Sequence, residues 1–248
     1  MKDKYGIIGY PLGHSASQTF FNNKFSKEGI DAEYFKYQIP DISEFPDVVN
    51  SNPELRGMNV TIPYKEQIIP YLDELDEDTR RIGAVNVIKF IREGGTLKLK
   101  GYNSDLVGFQ ESIKPLLKEH HRKALILGTG GASKAVSQGL RNLGIEYKFV
   151  SRSKRQDNTI LYEELTTEVM SDYLVIINTS PVGTFPNVEE YPDIPYHLVS
   201  EKHLFYDLVY NPPLTKFLEK AAEKGATIKN GEEMLRLQAV AAWEIWNS

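Results

Sequence analysis

The stretch Leu125–Val136, LILGTGGASKAV, decides how the second half of this 248-residue chain is read. An apolar run, Lys123–Leu127, enters Gly128-Thr129-Gly130-Gly131, and a helical pattern, Ala132–Leu143, opens behind it. Gly128 allows a tight turn, and Gly130 lets the backbone approach a ligand closely. The helix N-terminus beyond supplies unsatisfied N–H groups and partial positive charge. Ala132 and Ala135 let helix and strand pack closely. A glycine triplet alone also suits a merely tight structural turn. The strand before it and the helix after it favour a dinucleotide site, because a pyrophosphate needs that context.

The next strand, Glu146–Val150, identifies the dinucleotide. An NAD site usually carries Asp or Glu about 20 residues after the first glycine, for the ribose 2′-OH. Here that count reaches Lys148, and the strand runs into Ser151-Arg152-Ser153-Lys154-Arg155, with no acid before Asp157. Three cations and two hydroxyls suit a 2′-phosphate through charge-assisted hydrogen bonds. A solvated basic turn is the plain alternative. Behind a dinucleotide motif, the run reads as an NADP site.

Further strands, Leu174–Asn178, Leu204–Val209 and Ala226–Lys229, alternate with helices or loops. That rhythm predicts parallel sheets. Upstream, strands are predicted at Tyr5–Tyr10, Ala32–Ile39, Leu55–Ile62, Ala84–Ile91 and Leu97–Tyr102, the last two joined as a hairpin through Glu93-Gly94-Gly95-Thr96. Helices are predicted from a Ser15 cap to near Gly29, near Ser43, from about Tyr64 with Pro70 kinking it, and at Ser104–Leu117. The connector Lys118–Lys123, KEHHRK, is a charged break, and Glu232–Trp246 is a strongly apolar helix. His120 and His121 read as solvated surface. His14 suits a structural role as well as the shaping of a pocket. Trp243 and Trp246, three apart, share one helix face and read as core.

Composition sets the bounds. The length suits one large or two modest domains. Hydrophobic residues at 41% and charged residues at 25% describe an ordinary globular protein. A net charge of −5 argues against non-specific nucleic-acid binding. The absence of cysteine removes disulfide and thiolate chemistry. The N-terminal MKDKYGIIGY has too short an apolar run for a signal peptide, and no stretch approaches the ~20 apolar residues of a membrane span. A cytoplasmic protein with neither membrane nor nucleic-acid partner is expected.

The segment Gly57–Lys65, GMNVTIPYK, supplies candidate chemistry. Met58, Val60 and Ile62 alternate with Asn59 and Thr61, as in a strand with one buried face. Pro63 ends the pairing, and Lys65 follows at once. An enzyme that reduces a carbonyl with a nicotinamide also needs a proton donor for the developing alkoxide. Lys65 and Asp105 each come just after a predicted strand, and ligands of open α/β sheets bind outside the carboxyl ends of strands. Taken singly, each is also an ordinary surface charge.

Seven motifs occur in order over almost the whole chain. They are Gly13-His14-Ser15-Ala16-Ser17, Asn59-Val60-Thr61-Ile62-Pro63-Tyr64-Lys65, Gly83-Ala84-Val85-Asn86, Gly101-Tyr102-Asn103-Ser104-Asp105, Gly128-Thr129-Gly130-Gly131-Ala132, Asp207-Leu208-Val209-Tyr210-Asn211-Pro212 and the run Gly231–Ala239, GEEMLRLQA. Together they resemble the shikimate dehydrogenase family.

That resemblance implies a two-domain α/β protein. Residues 1–104 plus about 232–248 would form the substrate (shikimate) domain, and 105–231 a Rossmann-like NADP-binding domain, with the last helix packing back on the first. It implies reversible NADPH-dependent reduction of 3-dehydroshikimate to shikimate, with Lys65 as acid/base and Asp105 its partner. Ser15, Ser17 and Tyr210 would hold the substrate carboxylate, and Thr61, Asn86 and Gln238 the ring hydroxyls or carbonyl region. NADP(H) would rest on Gly128, Thr129, Gly130, Gly131 and Ala132, on Ser151, Arg152, Ser153, Lys154 and Arg155, and on Thr179, Leu208 and Gly231. The protein would be a monomer or a homodimer.

The chain departs from the family pattern at Gln18, usually proline, at Phe21, often histidine, at Ser151, commonly asparagine, and at Thr184, usually methionine. Two alternatives keep the fold. One is a quinate/shikimate dehydrogenase able to use NAD, against which the basic turn and Ser17 speak. The other is a non-catalytic NADP-binding regulator, in which Lys65 and Asp105 would be gratuitous.

Overall fold

A computed structural model describes residues 2–13, 16–153 and 158–248. The chain divides into two compact units, Met1–Ser104 with Ala239–Ser248, and Asp105–Gln238. The second break comes at Ala239, inside the last helix, rather than near residue 232.

In the first unit the elements are β1 (Asp3–Gly9), α1 (Ala16–Glu28), β2 (Ala32–Gln38), α2 (Phe45–Asn50), β3 (Leu55–Val60), β4 (Glu74–Leu75), α3 (Glu77–Ile82), β5 (Val87–Glu93) and β6 (Thr96–Tyr102). They form one sheet in the order β2-β1-β3-β5-β6-β4. It is mixed rather than parallel. β1 pairs parallel with both β2 and β3, while β5 runs antiparallel to β3 and to β6. The β5–β6 hairpin turns on Gly94 (φ 57°) and Gly95 (φ 81°), so no helical crossover is needed to reverse the chain.

β3 is shorter than expected and buried on both faces. Asn59 is buried beside Met58 and Val60, whereas Ile62 is 74% exposed. The ladder ends because Thr61 N–H still reaches Ile8 O at 2.9 Å, while Pro63 has no N–H to offer. The helix expected from Tyr64 is instead a run of turns closing in a 3₁₀ turn, Ile69–Tyr71, with Pro70 in its first positions. Tyr64 is pinned by its own hydroxyl, which donates to Ile39 O at 2.6 Å. β4, two residues long, carries too little pattern to be seen in the sequence.

An aromatic cluster of Tyr5, Phe21, Phe25, Tyr34 and Trp246 fills the α1 side of the sheet. Phe21 and Tyr34 stack at 4.9 Å and 12°. Trp246 donates from Nε1 to Ile88 O at 3.1 Å and lies so close to Gly57 that a Cβ there would sit 2.4 Å from its ring.

The second unit follows α4 (Ser104–Ile113). It contains β7 (Lys123–Leu127), α5 (Gly131–Asn142), β8 (Glu146–Ser151), β9 (Thr159–Leu161), α6 (Thr167–Asp172), β10 (Val175–Asn178), β11 (Leu204–Asp207), α7 (Lys216–Ala222), β12 (Thr227–Lys229) and the start of α8 (Glu232–Asn247). The sheet order is β12-β11-β10-β7-β8-β9, parallel throughout. Its central strands are buried on both faces, so they read as apolar runs.

His121 corrects one expectation. It is 4% exposed, not solvated. Its Nδ1 accepts from Lys118 N–H at 3.0 Å and its Nε2 lies 3.0 Å from Lys202 O, a pair that a neutral Nε2–H imidazole satisfies completely. Burial accordingly lowers its pKa. His120 is exposed and reaches the same carbonyl at 3.2 Å.

Candidate functional site

In the first unit, β3 and β6 both run against β5, so their carboxyl ends share one edge of the sheet. Thr61 and Lys65 follow β3 there, and Ser104 follows β6. Asn86 lies between them and is 3% exposed. Its Oδ1 accepts from Ser104 N–H at 2.7 Å and its Nδ2 donates to Ser104 Oγ at 3.1 Å. Its carbonyl accepts from Val60 N–H at 2.9 Å and from Asn59 Nδ2 at 3.2 Å. The backbone of Lys65 is anchored beside it, since Lys65 O accepts from Val85 N–H at 2.7 Å. The Lys65 side chain is half-buried.

Two residues buried behind this edge escaped the sequence reading as site-builders. The buried Tyr34 hydroxyl donates to Asn59 Oδ1 at 2.6 Å, and the Ser17 side chain hydrogen-bonds Tyr34. Because Asn59 Nδ2 is committed to a carbonyl, its Oδ1 must face Tyr34. A chain of hydrogen bonds, buried from Tyr34 onward, therefore links Ser17, Tyr34, Asn59 and Asn86. Burial drives the Tyr34 hydroxyl pKa well above its ordinary value. The signal for Asn59 was a polar residue in a strand that proved buried on both faces. Tyr34 carried no such signal.

In the second unit, a cleft of about 680 Å³ opens at the carboxyl ends of β7, β8 and β10. Gly128 turns the chain at φ 104°, and a Cβ there would come within 3.2 Å of Thr179 Oγ1. Among the described residues, no atom beyond the chain neighbours and the helix's own backbone stands within 4 Å of where Gly130 and Gly131 would carry a Cβ, which leaves room for a ligand at the start of α5. Thr179 is fixed by bonds from its N–H (3.0 Å) and Oγ1 (2.9 Å) to Leu127 O. A second, polar recess of about 420 Å³ is lined by Thr129, Ser151, Arg152 and Ser153. These residues fit a phosphorylated dinucleotide: glycine backbone for the pyrophosphate, and an arginine with hydroxyls for a further phosphate.

A fully buried carboxylate, Asp207, ties the cleft together. It accepts from Asn178 Nδ2 (2.9 Å), Val209 N–H (3.0 Å) and Thr215 Oγ1 (2.6 Å). Asn178 Oδ1 in turn accepts from Ser180 N–H (3.1 Å) and Ser180 Oγ (2.6 Å). Desolvation pushes the Asp207 pKa up to about 6, against the pull of those three donors. Leu208 and Gly231 meet each other: a Cβ on Gly231 would lie 2.1 Å from Leu208 O. That glycine is required by packing.

Among the expected site residues, Ser17, Thr61, Lys65 and Asn86 fall in the first unit, and Asp105, Tyr210 and Gln238 in the second. Tyr210 is 46% exposed. Ser15, Lys154 and Arg155 lie outside the described residues. Among the described residues, no group of three or more His, Asp or Glu is arranged to hold a metal, and no helix is long and apolar enough to cross a membrane.

Comparison with known proteins matches residues 7–88 to the shikimate dehydrogenase substrate binding domain. The chain is 38% identical to the shikimate dehydrogenase (NADP(+)) of Caldicellulosiruptor saccharolyticus, over 99% of this chain and 92% of that protein. The chain belongs to the shikimate dehydrogenase family. Among solved structures, it resembles a chorismate mutase/shikimate 5-dehydrogenase fusion protein from Clostridium acetobutylicum at a TM-score of 0.87 and 35% identity, covering all of this chain and 92% of that one. It also resembles the Thermus thermophilus shikimate 5-dehydrogenase in complex with NADP(H) and shikimate. That match has a TM-score of 0.84 and 28% identity, and covers 98% of this chain and 93% of that one. The two-domain α/β architecture is thus a property of the family. Phe21, a departure from the family pattern, is here a wholly buried member of the aromatic cluster, and Ser151 lines the cleft.

Proposed function

We propose that the protein catalyses the reversible NADPH-dependent reduction of 3-dehydroshikimate to shikimate. The observation that carries this reading is the second-unit cleft: glycine backbone at the start of α5, with Arg152 and two serines in the adjoining recess. The unit holding it would bind the cofactor, and the unit holding Lys65 would supply Ser17, Thr61 and Asn86 to the substrate. NADPH, when bound, supplies the hydride.

The remaining work falls to this chain's side chains. Lys65 delivers a proton to the oxygen that was the carbonyl, and takes it back in the reverse direction. Asp105 orients the Lys65 ammonium and accepts from a neighbouring ring hydroxyl. Thr61, Asn86 and Gln238 hold the remaining hydroxyls. Ser15, Ser17 and Tyr210 donate to the substrate carboxylate. A site built from such bonds rejects analogues that lack the matching hydroxyl, because its own polar groups are then left unpaired.

The test is the folded protein with shikimate or quinate, each with NADP or NAD, followed by absorbance of the reduced nicotinamide. Turnover of shikimate with NADP, well above the other three combinations, is expected. No turnover of shikimate would overturn the reading, and equal use of NAD would remove the role given to the Ser151–Ser153 recess.

A further inference from the structure

The cleft has a wall that neither the glycine turn nor the phosphate recess uses. It is formed by Tyr162, just past β9, and by Tyr191, Pro192 and Asp193, which follow the β10 loop. Arg152 lines both this cleft and the phosphate recess, so a group held in one is the neighbour of a group held in the other.

The wall is held rigidly. Pro192 and Ile194 are buried on either side of the exposed Asp193. Pro192 O accepts from the Tyr196 hydroxyl (2.9 Å) and from Ile194 N–H (3.0 Å). The Tyr191 ring is gripped by Lys220 Nζ at 4.4 Å and by the Tyr196 ring at 5.9 Å. Tyr162 packs against the core behind it. The charges of Arg152 and Asp193 both bear on the Tyr162 hydroxyl, with opposite effect. The wall thus offers flat apolar surface, suited to a base, and one exposed carboxylate carried on a braced backbone.

A carboxylate is an acceptor only. Adenine presents an exocyclic amino donor at position 6, whereas a 6-oxopurine presents an acceptor there and carries its donor one atom away, at N1–H. We propose that Asp193 selects the purine of the bound dinucleotide, its carboxylate accepting from the amino group of adenine. Because the backbone of the segment is braced before binding, the side chain of Asp193 is the part left to order on contact. This rests on the NADP reading above.

The test compares NADP with its hypoxanthine counterpart, nicotinamide hypoxanthine dinucleotide phosphate. Dissociation constants are measured by calorimetry for the wild type, Asp193→Asn and Asp193→Ala. The wild type should favour NADP by about tenfold, the order of one hydrogen bond to a charged group. Asp193→Asn can turn either end of its amide to the base, so the preference should fall to near one. Asp193→Ala should weaken NADP about tenfold and move the counterpart far less. Melting temperatures check that the exposed substitution leaves the fold intact. A wild-type ratio near one, or the wild-type ratio kept in both variants, overturns the role of Asp193 while leaving NADP binding in place. Failure of the folded wild type to bind either dinucleotide overturns both this role and the NADP reading.

Discussion

The two units make their sites from different material. At the strand ends of the first unit the walls are side chains already bonded to one another: Asn86 to Ser104, Asn59 to the Asn86 carbonyl, Tyr34 to Asn59. In the second unit the cleft begins with backbone: a left-handed glycine and a helix start that no side chain among the described residues crowds at Gly130 or Gly131. Side-chain networks position small polar groups accurately but suffer when one member is lost, because the partner stays buried and unpaired. Backbone cradles tolerate changes in neighbouring side chains but not an added Cβ. Substitutions should therefore fail differently on the two sides.

The largest effect is expected at Lys65. Lys65→Ala should lower kcat by about 10²–10⁴-fold, the range for losing a positioned general acid. Dissociation constants for shikimate and NADP should shift by only a few fold. Such a split marks an interaction made in the transition state. Steady-state kinetics with calorimetric binding measures it, and an unchanged kcat would remove Lys65 from the chemistry.

Asp207 breaks the comparison, since it is a buried charge in the unit otherwise built from backbone. Its pKa is raised from 3.8 to about 6 by desolvation. Between those values the folded protein keeps a proton that the unfolded chain has released, so this group's contribution falls as pH rises. At about 1.4 kcal/mol per pH unit, the penalty reaches the order of 3 kcal/mol above pH 6. Asp207→Asn cannot ionise. Urea denaturation at pH 4 and pH 7 should therefore show the difference, variant minus wild type, moving in favour of the variant by up to that amount. A difference independent of pH would mean that Asp207 ionises as freely in the folded protein as in the unfolded one.

The glycine turn tests the backbone side directly. Gly128→Ala must hold a φ of 104° that disfavours any L side chain, with its methyl 3.2 Å from Thr179 Oγ1. NADP affinity should fall about tenfold, while shikimate affinity stays within twofold. Loss of both affinities together would show a general collapse in place of a local cradle.

The reach of the sequence follows the same division. A strand, a glycine turn and a helix are contiguous, so LILGTGGASKAV displays the second-unit site within twelve residues. The first-unit site is assembled from positions far apart in the chain: Tyr34 and Asn59, then Asn59 and Asn86, then Asn86 and Ser104. No local period marks such pairs, and Tyr34 went unnoticed for that reason. Asp207 was visible only as a motif member, because its partners Asn178 and Thr215 lie 29 and 8 residues away. His121 misled because its neighbours are charged. Burial of a neutral imidazole depends on two backbone partners, one of them 81 residues distant.

The smallest expected effect probes where the alternating pattern of GMNVTIPYK stops meaning burial. Val60 is 2% exposed and Ile62 is 74% exposed, although both occupy the apolar phase of one strand pattern. A period of two predicts a shared face only while the ladder continues. Pro63 ends it, and the two residues then answer to different surroundings. Val60→Ala should lower stability by roughly 1–3 kcal/mol, as buried methyl groups are lost from the core. Ile62→Ser should change it by no more than about 0.5 kcal/mol, the usual range for an exposed position. Equal losses in urea denaturation would mean that Ile62 is buried in solution and that β3 runs on to the proline.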